Sequence, residues 1–312
     1  LRTPKDYLLI FFKGMGMGAA DVVPGVSGGT VAFITGIYEE LIQSINAIDI
    51  EAFQLLARFR IADFWTKING NFLAALLGGI LVSLLSLARL MTYFLDEHPI
   101  LIWSFFFGLI LVSSPLILRT IHKWTVSSVI TFIAGIVISY FITIVSPSET
   151  PSGYAFIFFC GAVAICAMIL PGISGAFILL LLGKYEFMIN ALIEFNIPVI
   201  LVFVLGCILG LLGFSRFLNW ILTHYRFPTL ALLAGFMIGS LNKVWPWKKV
   251  ISFRLNHAGD QVPAFDKSIL PWDYFNITGQ DPHVFKAILC AALGVFLVVA
   301  IEKAAAILKI KS

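Results

Sequence analysis

Apolar residues run through this chain in long blocks separated by short polar stretches, and several blocks reach the ~18 residues that a membrane-crossing helix needs. The first block, Leu8 to Ile45, is interrupted at Pro24-Gly25. From Ile48 to Ile68 the pattern changes: Asp49, Glu51, Arg58, Arg60, Asp63 and Lys67 alternate with Phe53, Leu55, Leu56, Phe59 and Trp65. That mixture predicts an interfacial helix lying on the bilayer. Three further apolar blocks follow, near Asn71–Leu95, Pro99–Leu118 and Trp124–Val145, and Ser146–Gly153 (S-P-S-E-T-P-S-G) reads as a linker.

The second half repeats this plan. Asp21 to Thr30, D-V-V-P-G-V-S-G-G-T, has a counterpart in Met168 to Phe177, M-I-L-P-G-I-S-G-A-F, and an offset of 147 superposes Gly14 on Gly161, Ser27 on Ser174 and Glu39 on Glu186. An offset of 127 superposes the next two spans, Gly79 on Gly206, Arg89 on Arg216 and Gly108 on Gly235; the last spans, Trp124–Val145 and His283–Lys303, match only loosely. The second half lacks the interfacial helix and carries a longer polar loop, Leu241–Pro282. Proline and clustered glycine break a helix, and breaks at matching places in two halves point to re-entrant segments around a binding site. A re-entrant segment followed by three spans is an odd number of crossings, so the halves face opposite ways. Basic residues agree: with the N-terminus inside, Arg2, Lys5, Arg58, Arg60, Lys67, Arg119 and Lys123 fall in inside loops, while short outside loops hold Lys184 alone. The expected fold is an all-α polytopic membrane protein of two inverted-topology repeats, each a re-entrant helical hairpin plus three transmembrane helices. Residues 1–150 form the first repeat, with hairpin 8–45 and interfacial helix 48–68. Residues 151–312 form the second, with hairpin 154–193 and polar loop 241–282.

Composition reinforces the class: 60% hydrophobic residues, 12% charged and a mean hydropathy of +0.98 lie far from the soluble range. The net charge of +4 is modest and implies no nucleic-acid partner. Cys160, Cys166, Cys207 and Cys290 lie in apolar segments without C-x-x-C spacing, and the five histidines are scattered through loops. These residues suggest no metal or cofactor, and no nucleophilic cluster of the kind an enzyme would need.

The chemistry therefore rests on the breaks. Ser27 and Ser174 suit the N-cap of a new helix, with Gly28, Gly29 and Thr30, or Gly175, in its first turn. Such helix starts present unpaired N–H groups and partial positive charge to an anion. Pro24, Gly25, Ser27, Gly28, Gly29, Thr30, Gly172, Ser174 and Gly175 are the expected anion-binding residues; the competing reading is that the glycines only allow close helix packing. Arg89 and Arg216 lie within apolar spans at equivalent positions and could clamp an oxyanion, or snorkel to the interface. Asp21, Glu39 and Glu186 are the expected ion-coupling acids, solvated helix ends being the alternative for the two glutamates. An anion moved against the membrane potential needs a coupled cation, a proton or sodium.

The run from Gly14 to Glu39, G-M-G-M-G-A-A-D-V-V-P-G-V-S-G-G-T-V-A-F-I-T-G-I-Y-E, together with the second P-G-I-S-G, resembles the signature of the PopT family of bacterial membrane proteins. The resemblance implies a flippase that returns undecaprenyl phosphate from the outer to the inner leaflet for cell-wall precursor synthesis. It also implies residence in the bacterial inner membrane, with a polyprenyl phosphate lipid as substrate among membrane lipids; a coupling proton or sodium ion and further copies of the chain stay open as partners. From the residues alone, a transporter or channel for a small soluble anion stays open beside it.

Overall fold

The computed structural model of the chain describes residues 2–22, 26–145, 150–151, 153–255 and 261–310. Helix α1 (Pro4–Val22) leads to the first break, and α2 (Gly28–Ile34) and α3 (Tyr38–Asn46) follow it. Two short helices, α4 (Ile50–Ala57) and α5 (Ile61–Lys67), precede α6 (Gly70–Ser86), α7 (Ala88–Glu97), α8 (Pro99–Leu118) and α9 (Val126–Ile144). The second half opens alike, with α10 (Tyr154–Ile169), α11 (Gly175–Leu181) and α12 (Tyr185–Ile193), then α13 (Ile197–His224) and α14 (Arg226–Ser240). Strands β1 (Lys248–Leu255) and β2 (Gln261–Ser268), then α15 (Pro271–Thr278) and α16 (Val284–Ile310), follow.

Among the described residues α8, α9 and α13 are each long and apolar enough to cross a bilayer, and the bent pairs α5–α6 (72°) and α11–α12 (107°) raise the number to five if each is one span. Large apolar side chains such as Leu81, Leu85, Phe141, Leu201 and Phe296 face outward along these helices. A soluble protein does not expose so much contiguous apolar surface; lipid is its solvent. The protein is a multi-pass, predominantly α-helical membrane protein.

Lipid supplies little hydrophobic drive between helices, so they associate where small residues let backbones touch. Helix α1 crosses α6 where Gly14 faces the Leu76 carbonyl and Gly79 faces that of Phe11; a Cβ on Gly79 would lie 2.0 Å from the Phe11 oxygen. Helix α10 crosses α13 through Gly161 on Phe203 and Gly206 on Phe158, the same four positions carried forward by the two sequence offsets. The remaining spans pair between halves, α8 with α16 at Gly108 and Gly294, and α9 with α14 at Gly135 and Gly235. Gly135 to Gly294 and Phe132 to Ala291 share one offset of 159, which supplies the correspondence of α9 and α16 that their sequences obscure.

Several elements depart from expectation. The single interfacial helix over 48–68 is two helices, parted where Phe59 takes a left-handed φ of 57°. The span near Asn71–Leu95 is divided at Leu87, which ends α6 and begins α7. Each hairpin turns again beyond its short helix, at Gly36 (φ 73°) and Gly183 (φ 62°). The helical membrane fold carries one addition, a β-hairpin: β1 and β2 pair antiparallel within the polar loop, with a bulge near Ser252. Pro263 is tolerated there because both strands of a two-stranded sheet are edges. The expected linker falls largely outside the described residues, as do Pro24 and Gly25.

Candidate functional site

The two chain breaks meet in the protein interior. Ser27 caps α2, its Oγ accepting from the Gly29 N–H at 3.1 Å, while its hydroxyl donates across to the other half, toward the carbonyls of Met168 (3.0 Å) and Leu170 (3.3 Å). Thr30 Oγ1 accepts from the Gly172 N–H at 2.9 Å. Ser27, Thr30 and Ser174 are all buried. These bonds are what interior polar groups need where water is absent.

The start of α2 is not open. Seven residues upstream, Asp21 Oδ1 accepts from the Gly28 N–H at 2.7 Å, so a carboxylate of the chain itself occupies the anion position of this helix. A Cβ on Gly28 would lie 2.5 Å from the Asp21 carboxylate, and one on Gly29 would lie 2.5 Å from the Ile169 carbonyl. Gly175 likewise abuts the Ala164 carbonyl. Close packing, the competing reading, accounts for these three glycines in this conformation. Gly172 is glycine for its own reasons, a φ of 87° and the Phe236 carbonyl beside it.

The second hairpin carries Met168 where the first has Asp21. Ser174 caps α11 by a long bond from the Phe177 N–H, 3.5 Å. Beside it opens a narrow cleft, lined by Gly172, Ser174 and Phe177 of the hairpin, Ser139 and Thr143 of α9, and Lys243 beyond the end of α14.

The other expected residues are distributed away from this crossing. Arg216 lies on an exposed face of α13 and donates to the Ile48 carbonyl at 3.3 Å; among the described residues it makes no hydrogen bond with either hairpin tip. The side chain of Arg89 lies outside the described residues. Glu39 pairs with Arg226 at 2.9 Å, and Glu186 is half-buried in the first turn of α12. Nothing in the sequence singles out Lys243, which stands in a polar loop among other lysines, directly after Asn242 at the end of an apolar span.

The sequence matches a family described as VCA0040-like, undecaprenyl phosphate translocase-like, over residues 17–262. A polyprenyl-phosphate transporter of Vibrio cholerae serotype O1 is 46% identical over 298 residues, covering 96% of this chain and 97% of the relative. A polyprenyl-phosphate transporter of Staphylococcus aureus is 34% identical over 252 residues, covering 75% of this chain and 84% of the relative. No solved structure matches the chain. With family-wide similarity spanning both hairpins and the helices between them, the chain belongs to the undecaprenyl phosphate translocase-like family of membrane transporters.

Proposed function

We propose that this protein moves undecaprenyl phosphate from the outer to the inner leaflet of the bacterial inner membrane, by alternating access between two inverted repeats. The observation that carries the reading is the Asp21 carboxylate seated on the Gly28 N–H where the two halves meet. It marks a backbone N–H in the protein interior that accepts an anionic oxygen, and a phosphate monoester headgroup supplies such oxygens. The matched glycine crossings of α1 with α6 and α10 with α13 support a twofold relation between halves. An odd number of crossings in each half, as the sequence pattern leads one to expect, would make that relation an inversion.

Moving a phosphate inward opposes the membrane potential by ~2.3 kcal/mol per charge per 100 mV. A proton taken up by Asp21 would offset this and would also release the Gly28 N–H, so that headgroup and Asp21 carboxylate exchange places on one donor. Glu39, held by Arg226, and Glu186 are more remote ion-coupling candidates. A sodium ion would need several oxygen ligands at one point, which favours the proton.

The test is a reconstituted chain in liposomes with a fluorescent short-chain polyprenyl phosphate. An imposed proton gradient should accelerate translocation by the native chain, and Asp21→Asn should flip at a rate indifferent to the gradient. Acceleration by a sodium gradient alone would remove the proton from the mechanism. Accumulation of inorganic phosphate without lipid movement would replace the lipid by a soluble anion.

A further inference from the structure

Lys243, in the wall of the cleft beside the second hairpin, belongs to a charge cluster that the hairpin crossing does not explain. Lys243 Nζ lies 3.3 Å from Asp266 Oδ1, and Lys248 Nζ lies 3.4 Å from Asp266 Oδ2, so two ammonium groups share one carboxylate. Both lysine side chains are deeply placed, 14% and 11% exposed. The separations exceed the roughly 2.7–2.9 Å of a well-made charged hydrogen bond. Lys243 lies over the Phe177 ring at 4.6 Å and Lys248 over Trp103 at 4.7 Å, aromatic faces that accept a cation but do not neutralise it. Burial, with Lys243 beside it, pushes Lys248 down to about 8 in spite of Asp266. Burial alone would raise the Asp266 carboxyl, but Lys248 and Lys243 hold it below the usual range. Among the described residues this leaves a buried surplus of one positive charge, which is costly unless an anion joins it.

A second observation, independent of charge, points to a ligand at the same place. Ser139 lines the cleft, is 1% exposed, and its Oγ finds no hydrogen-bond partner among the described residues. Buried hydroxyls are rarely left so. Thr143, on the next turn of α9, is held in the cleft wall by Asn242, whose side-chain N–H donates to Thr143 Oγ1 at 2.8 Å, and Ser268 of β2 donates to Asn242 in turn. The polar loop thus folds back and fixes the wall of the cleft.

We propose that this cleft binds a phosphate monoester, with Lys243 as its principal cation, Ser139 as a hydroxyl donor, and Asp266 of the β-hairpin as the anion that stands in for the phosphate when the cleft is empty. The inference rests on the lipid-carrier reading above for the source of that phosphate, a polyprenyl headgroup, and it places the specificity of the second half in a loop outside the duplicated motifs. Arriving phosphate displaces the Asp266 carboxylate from Lys243; the strand bearing Asp266 then loses one tie to the membrane domain.

Binding of farnesyl phosphate and of inorganic phosphate to the full chain in detergent tests this. Lys243→Gln should weaken farnesyl phosphate binding at least tenfold, Lys243→Arg should restore most of it, and Asp266→Asn should tighten it severalfold by removing the competitor. Wild-type affinity in Lys243→Gln overturns the site, as does an Asp266→Asn variant weakened in parallel with it, which would make the ion pair a strut. Equal affinity for inorganic phosphate and farnesyl phosphate, both dependent on Lys243, keeps the site and overturns its lipid source. If the native chain binds neither compound, the cleft site falls, and the liposome translocation measurement decides the lipid-carrier reading separately. Unchanged thermal unfolding of each variant separates lost binding from lost folding.

Discussion

A hydroxyl inside a membrane protein must find its hydrogen bonds within the protein, and Thr30 takes one from the Gly172 N–H of the opposite hairpin. Thr30→Val keeps the shape and leaves that buried N–H without an acceptor, at a cost of about 1–3 kcal/mol, whereas Thr30→Ser keeps the bond. Thermal unfolding in detergent should show the loss for valine and little change for serine; equal behaviour would mean that the bond contributes nothing. Sequence reasoning found Thr30, Ser27 and Asp21 because proline and glycine mark the break around them. It could not find their partners, since Asp21 meets Gly28 only once the chain has doubled back, and Thr30 meets Gly172 only once the halves have docked. Arg216 shows the reverse difficulty. An arginine within an apolar span looks the same in one dimension whether it faces a cavity or reaches out to a carbonyl such as that of Ile48.

At the scale of elements, neighbouring glycines on one helix have unlike surroundings. Gly79 is pressed to the Phe11 backbone, while a Cβ on Gly78 would meet nothing nearer than the Phe11 ring at 3.8 Å. Gly79→Ala should therefore push α6 off α1 at a cost of order 1–3 kcal/mol. Gly78→Ala should be neutral or stabilise by up to ~1 kcal/mol through helix propensity. Paired unfolding measurements check both, and a tolerated Gly79→Ala would dissolve the crossing argument. The repeat itself was legible because these contacts demand small residues at fixed spacing. The β-hairpin was not: Pro263 interrupts the alternation of β2, and the ties that hold the hairpin, Lys243 to Asp266 and Ser268 to Asn242, join residues more than twenty positions apart within the loop. The division of 48–68 at Phe59 was equally hidden, for no glycine or proline marks it.

Across the whole molecule, α14 separates two different surroundings. Its first residue, Arg226, pairs with Glu39 of the other half, and the cleft residue Lys243 follows its last turn. The Arg226–Glu39 pair is partly exposed, and such pairs contribute only ~0–1 kcal/mol. Arg226→Ala should therefore change the lipid translocation rate by less than about fivefold; abolished transport would make the pair a necessary gate. The exchange of partners between halves, α8 with α16 and α9 with α14, bears finally on how the protein is made. A ribosome adding ~5–20 residues per second leaves α8 in the membrane for roughly 8–30 s before α16 follows it. Throughout that interval the first half carries a glycine-notched face with no companion, so insertion of the early helices and completion of their packing are separate events in time.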